Sequence, residues 1–87
     1  MKAKYPFEFV EIDGEFVAVP VDEGAEAFHA VLQLNREAKD ILALLAKETD
    51  EEALCRALSQ KYEVDPERLS AYVHGYLGEL RKAGLLA

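Results

Sequence analysis

Few side chains in this sequence are spaced for catalysis. His29 and His74 lie far apart in the chain, and neither has a cysteine or carboxylate at metal-ligand spacing. Cys55, the single cysteine, cannot form an internal disulfide. It falls beside an apolar helical stripe, which suits a small packing residue better than a nucleophile. The carboxylates of Glu51 and Glu52, and of Asp22 and Glu23, occupy helix-cap and loop positions, where carboxylates are ordinarily solvated. No glycine-rich phosphate loop or nucleotide fingerprint is present. These residue types at these spacings predict no enzyme, no metal and no cofactor, and leave binding as the work to be explained.

Bulk properties narrow what can be bound. The chain has 87 residues, 51% of them hydrophobic, which allows one domain with one core. It carries 10 basic and 17 acidic residues, a formal net charge of −7. A surface of that sign repels nucleic acid. No apolar run is long enough to span a membrane, and Met1–Pro6 lacks the apolar segment of a signal peptide. The expected compartment is the cytoplasm.

The elements that would position a binding site can be read in order. Phe7–Ile12 and Glu15–Val21 read as strands, and Asp13-Gly14 between them is a hairpin signal because the favoured two-residue turn needs positive φ at both positions. Pro20 lacks an N–H and belongs near the end of the second strand. An acidic loop, residues 22–27, precedes a third strand predicted over Phe28–Leu34. Its alternation puts Phe28, Ala30, Leu32 and Leu34 on the helix-facing side, and His29, Val31 and Gln33 on the other.

Three helices follow. Asn35 should cap the first, which runs to about Ala46 with Ala38, Ile41, Leu42 and Leu45 on its apolar face. The second starts at Thr49, in a capping box with Glu52, or at Asp50, and carries Leu54, Leu58 and Tyr62 on one stripe. Asp65, Pro66 and Glu67 form a strong start for the third. Its stripe is Leu69, Val73, Tyr76, Leu77 and Leu80, and Gly84 should end it in a left-handed cap with Leu85 folded back on Leu80. The expected class is α+β: a three-stranded antiparallel sheet followed by three helices.

This order, together with Gly14-Glu15-Phe16-Val17, Val19-Pro20-Val21, Leu34-Asn35, Leu44-Leu45, Tyr62-Glu63-Val64-Asp65, Val73, Tyr76-Leu77, Leu80 and Ala83-Gly84-Leu85-Leu86, resembles the PqqD family. The resemblance runs from about Phe7 to Leu86 within a single domain spanning residues 1–87. It implies a winged-helix-like recognition element that binds the leader of a ribosomally made precursor peptide. It further implies that such a module hands the peptide to a modifying enzyme, such as a radical S-adenosylmethionine enzyme. By the same resemblance the leader adds to the third strand, in a groove walled by the third helix. Many relatives carry an aspartate just before the valine of the third helix. Tyr72 stands there in this chain, which points to a more apolar contact.

Strand addition has a physical basis, since an edge strand exposes unpaired N–H and C=O groups that an extended peptide can satisfy. On this reading the peptide site comprises Phe28, His29, Ala30, Val31 and Leu32 from the strand, and Arg68, Leu69, Tyr72, Val73 and Tyr76 from the helix. Leu69 and Val73 serve mainly the core. Tyr72 is the sharpest groove residue, because tyrosine offers a broad apolar face and a hydroxyl. Ala71, Gly75 and Gly78 form a small-residue strip, expected to be either a docking line for a partner or an ordinary exposed face. A winged-helix DNA-binding or protein-interaction module is the alternative reading. Arg68, His74, Arg81 and Lys82 are the only basic or ionisable nitrogen groups on the third helix, too few for a DNA-reading face in an acidic domain. An open edge strand also allows pairing with a second copy, so a monomer or a dimer is expected.

Overall fold

The computed structural model of the protein describes residues 1–21 and 32–87. Strands β1 (Phe7–Ile12), β2 (Glu15–Pro20) and β3 (Leu32–Leu34) form an antiparallel sheet in the order β1-β2-β3. Helices α1 (Arg36–Leu44), α2 (Glu51–Lys61) and α3 (Pro66–Lys82) follow. The architecture is α+β and compatible with a winged-helix-like arrangement. The first four residues of the predicted third strand, with the acidic loop before it, lie outside the described residues.

The hairpin forms for the stated reason. Asp13 and Gly14 have φ of 51° and 82°, the two positive values that a type I′ turn requires, and Ile12 pairs directly with Glu15. β2 stops at Pro20, one residue short of the predicted end. Val21 instead donates its N–H to the Pro6 carbonyl at 3.0 Å.

Pairing sets which side chains share a face. Phe7, Phe9, Phe16, Ala18, Leu32 and Leu34 fall together on the inner face, with Ala18 and Leu34 buried and the others packed against the core. The core itself is built by Ile41, Leu42, Leu45, Leu54, Leu58, Val73, Leu77 and Leu85, all nearly inaccessible to solvent. Lys39 of α1 lies over the Phe9 and Phe16 rings, its Nζ 5.8 and 5.5 Å from their centroids, closing that end of the inner face.

The helix ends follow capping chemistry. The Asn35 side chain accepts from Ala38 N at 2.8 Å, and α1 closes at Leu44, with Leu45 as the C-cap, rather than at Ala46. Of the two starts open for α2, Asp50 is the cap, accepting from Ala53 N at 2.8 Å. At the end of α3, Gly84 has φ 75°, Leu85 donates to the Leu80 carbonyl at 2.9 Å and Gly84 to that of Arg81 at 3.0 Å. This pair of bonds is the Schellman pattern, and it seats Leu85 in the core beside Leu80.

Candidate peptide-binding groove

β3 is hydrogen-bonded to β2 through Phe16–Leu34, Val17–Gln33 and Ala18–Leu32, and it stands at the edge of the sheet. α3 packs on α2 and runs past β3 and the start of α1, leaving a groove of about 400 Å³ between them. Gln33, Leu34, Asn35 and Ala38 line one side, and Ala71, Tyr72, Gly75, Tyr76 and Glu79 the other. A second trough, about 420 Å³, lies on the far side of Tyr72 between Glu37, Val64, Arg68 and Leu69. Tyr72 is therefore a ridge shared by both depressions.

Local bonding fixes that ridge. The Tyr72 hydroxyl donates to Asn35 Oδ1 at 3.1 Å, and the same oxygen accepts from Ala38 N. One amide thus caps α1 and ties it to the groove wall on α3. The rings of Tyr72 and Tyr76 stack one helical turn apart, with centroids 6.4 Å apart and planes inclined by 11°. Burial, then the neighbouring Tyr72 and Glu79 groups, push the Tyr76 hydroxyl up to about 12. It remains a neutral donor throughout the physiological range.

The other predicted helix residues divide by burial. Val73 is fully buried and Leu69 nearly so; they anchor the wall from behind, while Leu69 also floors the second trough. Arg68 is exposed at the rim of that trough, opposite Glu37. On the strand side Leu32 is half-buried against the core, and Phe28, His29, Ala30 and Val31 lie outside the described residues.

Several lining residues carry no binding signal of their own in the sequence. The sequence pattern places Gln33 on the outward strand face and Asn35 at a cap. It places Ala71 and Gly75 in a separate strip with Gly78, which does not line the groove. The available signal is helical spacing: residues 72, 75, 76 and 79 recur at three and four residues along one side of α3.

The groups with reactive potential serve other ends. His74 Nδ1 meets Glu51 Oε1 at 3.0 Å in an exposed tie between α3 and α2. The Cys55 thiol is half-buried and pushed up by burial and by the charge of Glu51, with a Ser70 hydrogen bond opposing. That direction disfavours the nucleophilic thiolate. Asp40 is the one buried charged residue among those described. It accepts from the Tyr62 hydroxyl and pairs with Lys61 Nζ at 2.9 Å, remote from the groove. Among the described residues no cluster of histidine, cysteine and carboxylate side chains could hold a metal ion, and no helix is long and apolar enough to cross a membrane.

No curated protein matches the sequence. Among solved structures, the chain is similar to one described as TbiB1 in complex with the TbiA(beta) leader peptide. The TM-score is 0.71 at 23% identity, covering 99% of this chain and 94% of that one. At that identity the likeness establishes the shared fold. The family described as coenzyme PQQ synthesis protein D (PqqD) matches residues 15–86, from the start of β2 through the cap of α3. With well over half of the chain covered, this protein belongs to the PqqD family.

Proposed function

We propose that this protein is a non-catalytic module that binds the leader segment of a ribosomally synthesised precursor peptide. The leader adds as a strand along the free edge of β3 and lies against α3. The module then presents the peptide to a modifying enzyme, such as a radical S-adenosylmethionine enzyme, in the cytoplasm.

The observation that carries this reading is the groove between an edge strand and a helix face bearing two stacked tyrosines. Backbone groups of an edge strand supply affinity with little sequence reading, and the tyrosine wall supplies apolar contact with hydroxyl donors for selectivity. Family membership and the fold shared with a protein solved with a leader peptide bound support the same reading. The groove is lined by Glu79 and the second trough by Glu37 and Arg68, so the preferred leader is mainly apolar, with a basic residue facing Glu79.

The test is a titration of isotope-labelled protein with the synthetic leader of a candidate precursor peptide. Amide shifts should concentrate on Leu32–Leu34 and Arg68–Tyr76. Tyr72→Ala should weaken binding at least tenfold while the spectrum stays folded, matching the ~1–3 kcal/mol typical of a central aromatic anchor. Unchanged affinity in that variant would remove Tyr72 from the site, and shifts confined to other surfaces would sink the groove assignment.

A further inference from the structure

The sheet has a second face, and it is not built for water. Pairing places Glu8, Val10 and Ile12 of β1, Glu15, Val17 and Val19 of β2, and Gln33 of β3 on the side away from the helices. An antiparallel sheet with one solvated face ordinarily alternates apolar-in with polar-out. Here the centre of the outer face is a contiguous block of branched aliphatic residues. Val10 pairs directly with Val17, Ile12 and Val19 adjoin them, and Val10 and Ile12 are 47% and 56% exposed.

The charged residues of the hairpin that carries this block are of one sign: Glu8, Glu11, Asp13 and Glu15. Between Lys4 and Arg36 the sequence has seven acidic residues and no lysine or arginine, whereas the rest of the chain carries ten of each sign. The whole net charge of −7 is therefore carried by the stretch of sequence between Lys4 and Arg36. Glu8 and Glu15 rim the aliphatic block on its own face, with Asp13 at the turn.

We infer that the outer face of the sheet, centred on Val10, Ile12, Val17 and Val19, docks an amphipathic helix of a partner protein whose apolar stripe is flanked by lysine and arginine. A sheet face is covered by a layer packed across it, and six-residue strands span about 20 Å, the length of roughly 13 helical residues. The acidic rim selects the flanking charge. It also argues against a second copy, because two such faces apposed would set Glu8 and Glu15 against one another. An anionic membrane surface is repelled for the same reason. The inference goes beyond leader binding: a peptide added at the edge of β3 leaves this face open, so one module can hold both at once.

The experiment uses a 14-residue helical peptide with a leucine stripe flanked by lysines, titrated into isotope-labelled protein. Its controls are the same stripe flanked by glutamates and a serine stripe flanked by lysines. The lysine-flanked leucine peptide should shift the amides of Val10, Ile12, Val17 and Val19 and leave those of Tyr72 and Tyr76 in place; neither control should do so. The V10T/V17T double variant keeps strand propensity while removing apolar surface, and should weaken binding at least tenfold. Equal binding by that variant or by the serine-stripe peptide, or shifts scattered over other acidic surfaces, would overturn the inference. So would a dimer in sedimentation that the double variant disperses, since the occupant would then be a second copy. Leader affinity, read separately at Tyr72, is unaffected by any of these outcomes.

Discussion

Asn35 shows how one side chain joins two kinds of work. Its Oδ1 caps α1 and accepts the Tyr72 hydroxyl, so the groove ridge is held by a bond to the very residue that starts the helix opposite. Tyr72→Phe should therefore cost at most about 1 kcal/mol of stability, one exposed hydrogen bond, and leave most of the apolar leader contact. Comparing its leader affinity with that of Tyr72→Ala separates hydroxyl from ring. Asp40 works at the opposite side of α1. Burial pushes its carboxyl up, but hydrogen bonds from Tyr62 and Lys61 and the Lys61 and Lys39 charges outweigh that and hold it below its ordinary 3.8. A carboxyl depressed in the folded state contributes stability that is present above its unfolded value and lost as pH falls through the folded one. Stability should thus begin to fall as pH drops toward 3.8 and continue falling below it. Asp40→Asn should lower the urea midpoint at pH 7 by the equivalent of about 1–2 kcal/mol and lose less on acidification than the parent. An identical acid response in both proteins would assign the effect to other carboxylates.

On the proposed leader-binding reading, the third helix is the element in which stability and binding would compete. Gly75 and Gly78 sit in its interior with ordinary helical φ, and a Cβ added at either meets nothing within 4 Å. Alanine at each position should stabilise the protein by ~0.5–1 kcal/mol, read from denaturant midpoints. The two should differ in binding. Gly75 lines the groove, so Gly75→Ala narrows it and should weaken leader affinity several-fold, whereas Gly78→Ala should not. Equal affinities would mean that the peptide does not approach the helix backbone at that point.

At the scale of the whole molecule, the chain ends hold one another. Ala3 is buried and donates its N–H to the Leu45 carbonyl at 2.9 Å; Lys4 donates to Leu85 at 2.8 Å, Ala87 to Lys2 at 2.8 Å and Thr49 to Met1 at 2.8 Å. Ala3 and Leu86 pair as an isolated bridge. The first residues thus bind the end of α1, the α1–α2 connection and the segment after α3 into one unit. Deleting Met1–Lys4 removes these four bonds and should cost roughly 2–6 kcal/mol, at about 0.5–1.5 kcal/mol per bond, in guanidinium unfolding. Amide positions at Tyr72 and Tyr76 should stay unchanged under native conditions, because the clamp lies outside the groove lining.

What the sequence determined by itself is whatever local stereochemistry dictates. Asp13-Gly14 admits the positive φ of a tight turn, Asn35, Asp50 and Asp65 present caps, Gly84 permits the left-handed stop, and period-2 and period-3.6 apolar patterns mark the inward faces. Those rules act within a few residues, which is why the elements, their order and the core were legible, and why Tyr72 stood out beside the α3 stripe. The tertiary structure alone decided what depends on distant segments meeting. The Tyr72–Asn35 bond, the Asp40–Tyr62 pair and the clamp of Ala3 against Leu45 and Leu86 each join residues with no sequence periodicity between them. The outer face of the sheet is by contrast local in origin: the two-residue Asp13-Gly14 turn fixes the register that sets Val10 beside Val17. Pairing across a fold is set by packing geometry, and packing geometry has no signature in any short stretch of chain.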